Sequence, residues 1–246
     1  MTDLAQRFAD WIAEHDDPDA PATPAATVLI LRDGSDGLEV LMVQRNSEGT
    51  FASNWVFPGG KVDAEDHDGD GDIDALDIVA ASRIAASREA AEEADVVIDP
   101  SDLVPFSHWM PPTIVPRRFS TWFYATAAPA GDDGDVTIDG GEIVDHVWVA
   151  PSAALARQAA GEVELVPPTW ITLKHLEPYA TAAEALTAIA KRTVPFYLTR
   201  RIAAKPPIVV WHGDAGYHSG DADAPGGRHR LTMDRNGWIF EEPDAP

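Results

Sequence analysis

Arg88-Glu89-Ala90-Ala91-Glu92-Glu93, read with Phe57-Pro58-Gly59-Gly60 upstream, decides what this 246-residue chain is. The stretch from Ile78 to Ala94 is rich in Ala and free of Gly and Pro, which predicts one helix. On that helix Glu89, Glu92 and Glu93 stand at i, i+3 and i+4, so three carboxylates share one face. Like charges at that spacing repel. A chain that keeps them together is expected to place a cation among them, and hard divalent ions such as Mg²⁺ prefer oxygen ligands. Gly59-Gly60 predicts a turn where backbone comes close to a metal or a phosphate. The combination points to metal-dependent phosphate chemistry.

The run from Gly60 through Arg88-Glu89 to Glu92-Glu93 resembles the Nudix box, the signature of the Nudix diphosphohydrolases. The family pattern is Gly, five residues, Glu, seven residues, then Arg-Glu-aliphatic-x-Glu-Glu-x-Gly-aliphatic. Here Asp66 stands for the first Glu, Ala90 for the aliphatic residue and Asp95 for the last Gly, with Val96 closing the match. Asp95 is a mild change, because Asp tolerates the left-handed conformation that helix ends need. Ala90 is smaller than usual and is expected to pack less tightly. The spacer between Asp66 and Arg88 is 21 residues, so a segment is inserted inside the box.

That insert carries a second pattern. Asp66, Asp68 and Asp70 fall at positions 1, 3 and 5 of a twelve-residue EF-hand calcium loop, with Gly71 at the turn. Asp72 follows Gly71, Ile73 fills the apolar position, Asp74 sits at 9, and Asp77 replaces the bidentate Glu at 12, as in dockerin loops. The bland alternative is a solvated acidic loop. Asp66 cannot easily be both a Ca²⁺ ligand and the box carboxylate that orients Arg88. Asp63 is the other candidate for that second task.

The resemblance implies an α/β fold, the Nudix α/β/α sandwich with a mixed sheet, and a substrate in which a nucleoside diphosphate is linked to another moiety. Glu89, Glu92 and Glu93, with the Gly59 carbonyl, would hold Mg²⁺ or Mn²⁺. Arg88 would hold the glutamates by hydrogen bonds. The general base would be Glu89 or a loop carboxylate, Glu142 or Asp145. Further runs resemble the subgroup that includes the mammalian peroxisomal coenzyme A diphosphatase. They are Val43 to Ser47 (with Arg45), Ser107 to Pro112, Pro116 to Thr121, Val147 to Pro151 and Leu165 to Thr169. Arg45, Arg117 and Arg118 are the candidate phosphate contacts, Arg118 and Arg117 including the 3′-phosphate of coenzyme A. Because 117 and 118 precede an alternating strand, only one of them should face the site. Trp109 is a candidate adenine-stacking ring, although a tryptophan amid prolines also suits packing. ADP-ribose, NADH and dinucleoside polyphosphates are the other substrates in view, and the NADH subgroup's Ser-Gln-Pro-Trp-Pro-Phe-Pro signature is not found. A ligand sensor built on the same fold is the non-catalytic alternative, which three retained carboxylates argue against.

Composition narrows the partners. With 18 basic against 41 acidic residues the net charge is −23, a poor surface for nucleic acid or an anionic membrane. There is no cysteine, hence no disulfide framework or thiol nucleophile. No apolar run nears the roughly 18 residues of a membrane span. The N-terminus lacks the basic and apolar regions of a signal peptide, and a cytoplasmic protein, with a homodimer in view, is expected. His212, His218 and His229 are too scattered for zinc.

Three segments are expected. Residues 1–24 form an amphipathic helix and a Pro/Ala/Asp linker. Residues 25–204 form the Nudix domain, with the acidic insert at 66–77. Residues 205–246 form a C-terminal extension. Within the domain, strands are expected at 27–31, 38–44, 96–98, 118–127 and 146–149, and helices at 151–160 and within 170–190. In the extension, Asn236-Gly237 marks a hairpin turn.

Overall fold

The computed structural model describes residues 22–46, 54–67, 75–113, 115, 117–129, 136–138 and 140–243. The expected N-terminal helix and most of the acidic insert lie outside them. The organising strand is β1, Thr23–Gly34, whose run from Ala25 to Leu31 is buried throughout. A strand covered on both faces needs apolar residues at every position rather than at alternate ones. It returns through a tight turn into β2, Gly37–Arg45, in the register Gly34↔Gly37 and Leu31↔Val40. Gly37 has φ of 124°, a conformation that costs glycine nothing. Thr23 and Pro24, inside the segment expected to run to residue 24, pair with Phe119 and Ser120. Pro24 is tolerated at the start of the strand.

The main sheet has eight strands. Its path is β3 (Trp55–Val56), β2, β1, β6 (Phe119–Ala127), β5 (Val104–Met110), β8 (Phe196–Leu198). Strand β4 (Gly59–Lys61) pairs with β1, and β7 (Ile143–Val149) with β2. β1 and β6 are parallel, as are β5 and β8, and the other pairs are antiparallel. Alternation then sorts the side chains into two cores. Val28, Ile30, Leu41, Trp122 and Tyr124 pack under α1, Ala75–Ala94. Leu29, Leu31, Met42 and Phe123 pack under α2 (Pro151–Ala159), α3 (Pro167–Leu176) and α4 (Ala182–Lys191). This is the expected α/β/α sandwich with a mixed sheet.

Three local expectations need correction. Residues 96–98 form no strand: Val96 and Ile98 are buried and Val97 is 77% exposed, an alternation without a partner strand. Those residues instead close α1. Asp95 takes φ of 56°, and the N–H groups of Asp95 and Val96 bond the carbonyls of Ala91 and Ala90 at 3.1 and 3.2 Å. Second, β5 was not expected as a strand, since Pro105 and the aromatic run mask its alternation. Third, Gly59-Gly60 is no turn but strand β4, and neither residue has positive φ. Glycine is required there for space, because a Cβ on Gly59 would meet the Ala26 carbonyl oxygen at 2.4 Å.

The C-terminal residues form a second sheet, ordered β12 (Gly237–Glu241), β11 (Arg230–Asp234), β10 (Ile208–Val210), β9 (Arg200–Ile202) and antiparallel throughout. The hairpin turns before Gly237, where Asp234 pairs with it. Trp211 and Leu231 join the α2–α4 core, with Trp238 and Phe240 packed against it. The extension therefore covers the face opposite α1. It starts with β9, upstream of residue 205.

Candidate active site

Everything in the site is hung on two backbones, the β3–β4 connection and the last two turns of α1. Thr27 fixes the first: its hydroxyl donates to the Pro58 carbonyl at 2.6 Å, and the Val28 N–H reaches the same oxygen at 2.9 Å. Gly59 and Gly60 then lie in ladder with Thr27 and Ala26. The absence of a side chain on Gly60 lets Glu89 in, since a Cβ there would sit 2.2 Å from Glu89 Oε1. The two glycines shape the site by being small.

Arg88 is the hub. Its guanidinium donates to both oxygens of Asp66 at 3.0 and 2.9 Å, to Glu89 at 3.0 Å, to Glu92 at 3.0 Å and to the Lys61 carbonyl at 3.0 Å. Asp66, only 1% exposed, also accepts the Asp63 N–H at 2.8 Å. Asp63 itself stands 3.6 Å from Arg88, so Asp66 is the tighter partner of the two. Burial pushes the Asp66 carboxyl up, but the Arg88 hydrogen bonds and the Asp63 N–H outweigh it and leave the group below its ordinary value. The Asp66 bonds raise Arg88 in turn. Burial raises the Glu89 carboxyl from its ordinary value, with Arg88 opposing.

The three box glutamates do not form a closed cluster. Glu92 is 58% exposed and turned to Arg88, whereas Glu93 is 4% exposed and its Oε2 accepts the Gly59 N–H at 2.9 Å. Among the described residues no three His, Cys, Asp or Glu side chains converge on one point. Like charges separate when each has its own donor. The donor set itself suits a hard divalent ion: carboxylate oxygens of Glu89 and Glu93 beside the Gly59 carbonyl, all on rigid elements.

Arg45 links this set to the loop before β7. Its Nη1 lies 3.3 Å from the Gly59 carbonyl and 3.5 Å from Glu93 Oε1, and its Nη2 contacts the Glu142 carboxylate. Asn46 holds the same loop, donating from its backbone to the Glu142 carbonyl and from its side chain to Gly141, both at 2.8 Å. Sequence reasoning named Arg45 only through a resemblance and missed Asn46, whose role rests on contacts 95 residues apart. Of the two loop carboxylates, Glu142 is brought to the box. Asp145 accepts the His146 N–H at 2.8 Å and pairs across with Gln44.

The other candidates divide. Trp109 is not a substrate ring: it is 3% exposed, stacked on Tyr197 at 3.9 Å and bonded to Ser107 at 2.9 Å. Packing uses its face against Tyr197, its neighbours Phe123 and Trp211, and its N–H. His108 is likewise internal, 2.7 Å from Ser120 and pushed down to about 3 by burial. Arg118 is buried and donates to the Pro111 carbonyl at 3.2 Å, while Arg117 is exposed. Alternation thus left one of the pair outward. Of the candidate calcium ligands, Asp68, Asp70, Asp72 and Asp74 lie outside the described residues. Asp77 is exposed on the first turn of α1, and both Asp66 oxygens are on Arg88.

Residues 21–168 match the NUDIX domain family model. The chain belongs to the Nudix family. It is thereby a pyrophosphohydrolase by class, and Nudix hydrolases generally use divalent metals such as Mg²⁺ or Mn²⁺. A Nudix hydrolase from Alicyclobacillus acidocaldarius is 23% identical, with 72% of this chain and 98% of that one aligned at a TM-score of 0.58, a likeness of fold. The Nudix domain of Shewanella oneidensis NrtR complexed with ADP ribose is 17% identical, covering 68% of this chain and 94% of that one, TM-score 0.47. A C. elegans Ap4A hydrolase is 19% identical over 68% of this chain and 98% of that one, TM-score 0.41. These two looser likenesses do not bear on substrate. No curated protein matches the chain. Among the described residues of this Nudix protein, no helix is long and apolar enough to cross a membrane.

Proposed function

We propose that this Nudix protein cleaves the pyrophosphate of a nucleoside diphosphate linked to another moiety, with coenzyme A or an acyl-CoA as first candidate. The observation that carries the reaction is the placement of Glu89 and Glu93 against Gly60 and Gly59, fixed by Arg88 and by the Gly59 N–H. Glu89, Glu92 and Glu93 with the Gly59 carbonyl would hold Mg²⁺ or Mn²⁺, which would supply neutralisation of the pyrophosphate charge and an acidified water. Arg88 keeps Glu89 and Glu92 oriented. Glu142, delivered by Arg45 and Asn46, is the loop carboxylate for general base duty, with Glu89 as the other. Exposed Arg117 is the outward cation for a substrate phosphate.

The coenzyme A assignment rests on the runs at Ser107 to Thr121 and Val147 to Pro151. Much of the first run is core, so these residues bear on kinship more than on substrate contact. A cytoplasmic protein with a small nucleotide substrate fits the acidic composition.

The test is product analysis by mass spectrometry with Mg²⁺ or Mn²⁺ and a panel of coenzyme A, acyl-CoA, ADP-ribose, NADH and dinucleoside polyphosphates. Formation of 3′,5′-ADP and a phosphopantetheine is expected. Cleavage of another member alone removes the coenzyme A assignment and keeps the reaction. Glu93→Gln should lose turnover while its melting temperature holds. Unchanged turnover in that variant would falsify the metal role of Glu93.

A further inference from the structure

We infer that Arg45 is a tethered counter-ion for the metal-binding oxygens, and that divalent metal binds by exchanging places with its guanidinium. The inference rests on the metal role proposed for Glu93 and Gly59. Glu93 Oε2 is anchored on the Gly59 N–H at 2.9 Å, which turns Oε1 toward Arg45. The Gly59 carbonyl points to the same nitrogen, so two oxygens of the donor set converge on Nη1 at 3.3 and 3.5 Å. Nη2 takes the Glu142 carboxylate. One side chain, 17% exposed, therefore contacts two carboxylates and a carbonyl at once.

A hard divalent ion needs those oxygens at roughly 2.0–2.1 Å, which brings a second positive charge onto the atoms that Nη1 contacts. A guanidinium cannot give up its charge to make room. Metal and Arg45 in its present position therefore oppose each other, by like charge and by crowding on the same two oxygens. The long contacts at Nη1 mark a loose hold, which the side chain can leave by rotamer change without moving β2. Once displaced, the guanidinium stays tethered beside Glu142, within reach of a phosphate brought by the metal. Substrate then rewards the displaced position, and by linkage metal and substrate each tighten the other. The exchange also keeps carboxylates from facing one another unneutralised while metal is absent.

Calorimetry of Mn²⁺ binding without substrate tests this on the full chain. Arg45→Gln and Arg45→Met, both checked for fold by circular dichroism, should bind Mn²⁺ about tenfold tighter than wild type. Arg45→Lys keeps a charge at that site and should bind no tighter than about threefold over wild type. Equal or weaker binding by the folded Gln and Met variants overturns the inference. Glu93→Gln separates the two levels. If it binds Mn²⁺ as wild type does, the metal reading fails and takes this inference with it; if it binds weakly while the Arg45 variants match wild type, only the exchange fails.

Discussion

Replacing Gly60 by Ala should remove activity while leaving the fold in place. A Cβ on Gly60 would lie 2.2 Å from Glu89 Oε1, 2.5 Å from its Cδ and 2.8 Å from its Oε2. Ordinary contact begins near 3.4 Å, so the carboxyl must withdraw by about 1.2 Å. Gly60 does not have positive φ, and the backbone accepts Ala without strain. The cost thus falls on the far end of a side chain, which moves cheaply, and on whatever that carboxylate does in catalysis. Misplacement of about 1 Å costs on the order of 10²-fold in rate. We expect kcat to fall about 100-fold, with KM within a few-fold and the melting temperature within about 2 °C of wild type. Gly59→Ala is the contrast. Its Cβ would meet the Ala26 carbonyl oxygen at 2.4 Å and Thr27 Cα at 2.7 Å, backbone atoms of the paired central strand. Overpacking there should cost about 1–3 kcal/mol, or about 3–10 °C in a chain of this size. Steady-state kinetics and thermal unfolding read both variants. A Gly60→Ala enzyme that keeps kcat within threefold, or a Gly59→Ala protein as stable as wild type, would refute the reasoning.

Other outcomes follow from single contacts. Fully buried carboxylate–arginine pairs cost roughly 3–5 kcal/mol to break; with Arg88 23% exposed and holding other partners, a double-mutant cycle of Asp66→Asn and Arg88→Met should give a coupling of about 2 kcal/mol in urea. A coupling under about 0.5 kcal/mol would mean the pair does not hold the box. His108 is held neutral by burial, its pKa near 3 against about 6.5 unfolded, so the unfolded chain takes the proton first and stability falls as pH drops through that window. Between pH 7 and 4.5 this amounts to about 2.5 kcal/mol, and His108→Gln should flatten the fall; urea midpoints with the same pH slope in both proteins would contradict it. In the extension, Arg230→Met leaves the Asp214 carboxylate, 0% exposed and bonded to Arg230 at 2.6 and 2.7 Å, without its cation. That should cost about 3–5 kcal/mol and speed limited proteolysis of residues 200–243, and an unchanged cleavage rate would count against it.

The fold was legible where one segment carried its own instructions. The Ala-rich run with no Gly or Pro placed α1, Asp95 announced its left-handed end, and the run around Val28 marked a strand buried on both faces. Arg88 was legible as the organiser of the glutamates, because its partners at positions 89 and 92 are neighbours on one helix. What depended on distant pairing was not legible. β5 is a strand because β6 and β8 flank it, and its own sequence of Pro, His and Trp conceals that. Trp109 lost its candidate role to Tyr197 and Trp211, which arrive from the far end of the chain. The small size demanded of Gly59 comes from Ala26, and the clamp on Glu142 comes from Asn46; neither leaves a local sign.

The insert inside the box is tolerated for a reason visible at its two ends. Asp66 is locked to Arg88 at one end, and the other end is α1 itself, which starts at Ala75 and so takes up more than half of the 21-residue spacer as added helical turns. A longer loop adds closure entropy only logarithmically. The Asp66–Arg88 contact ties the start of the box to its helix across that spacer. The same contact decides how a calcium loop beginning at Asp66 would behave. Both oxygens of that carboxylate already accept from Arg88, and a Ca²⁺ ion drawing on Asp66 would share them with that guanidinium, placing two cations on one carboxylate. Like charge would then weaken the hold of Asp66 on Arg88, and with it the fork toward Glu89 and Glu92. A Ca²⁺ ion that used Asp66 would therefore loosen the ordering of the box, whereas one held without Asp66 would not.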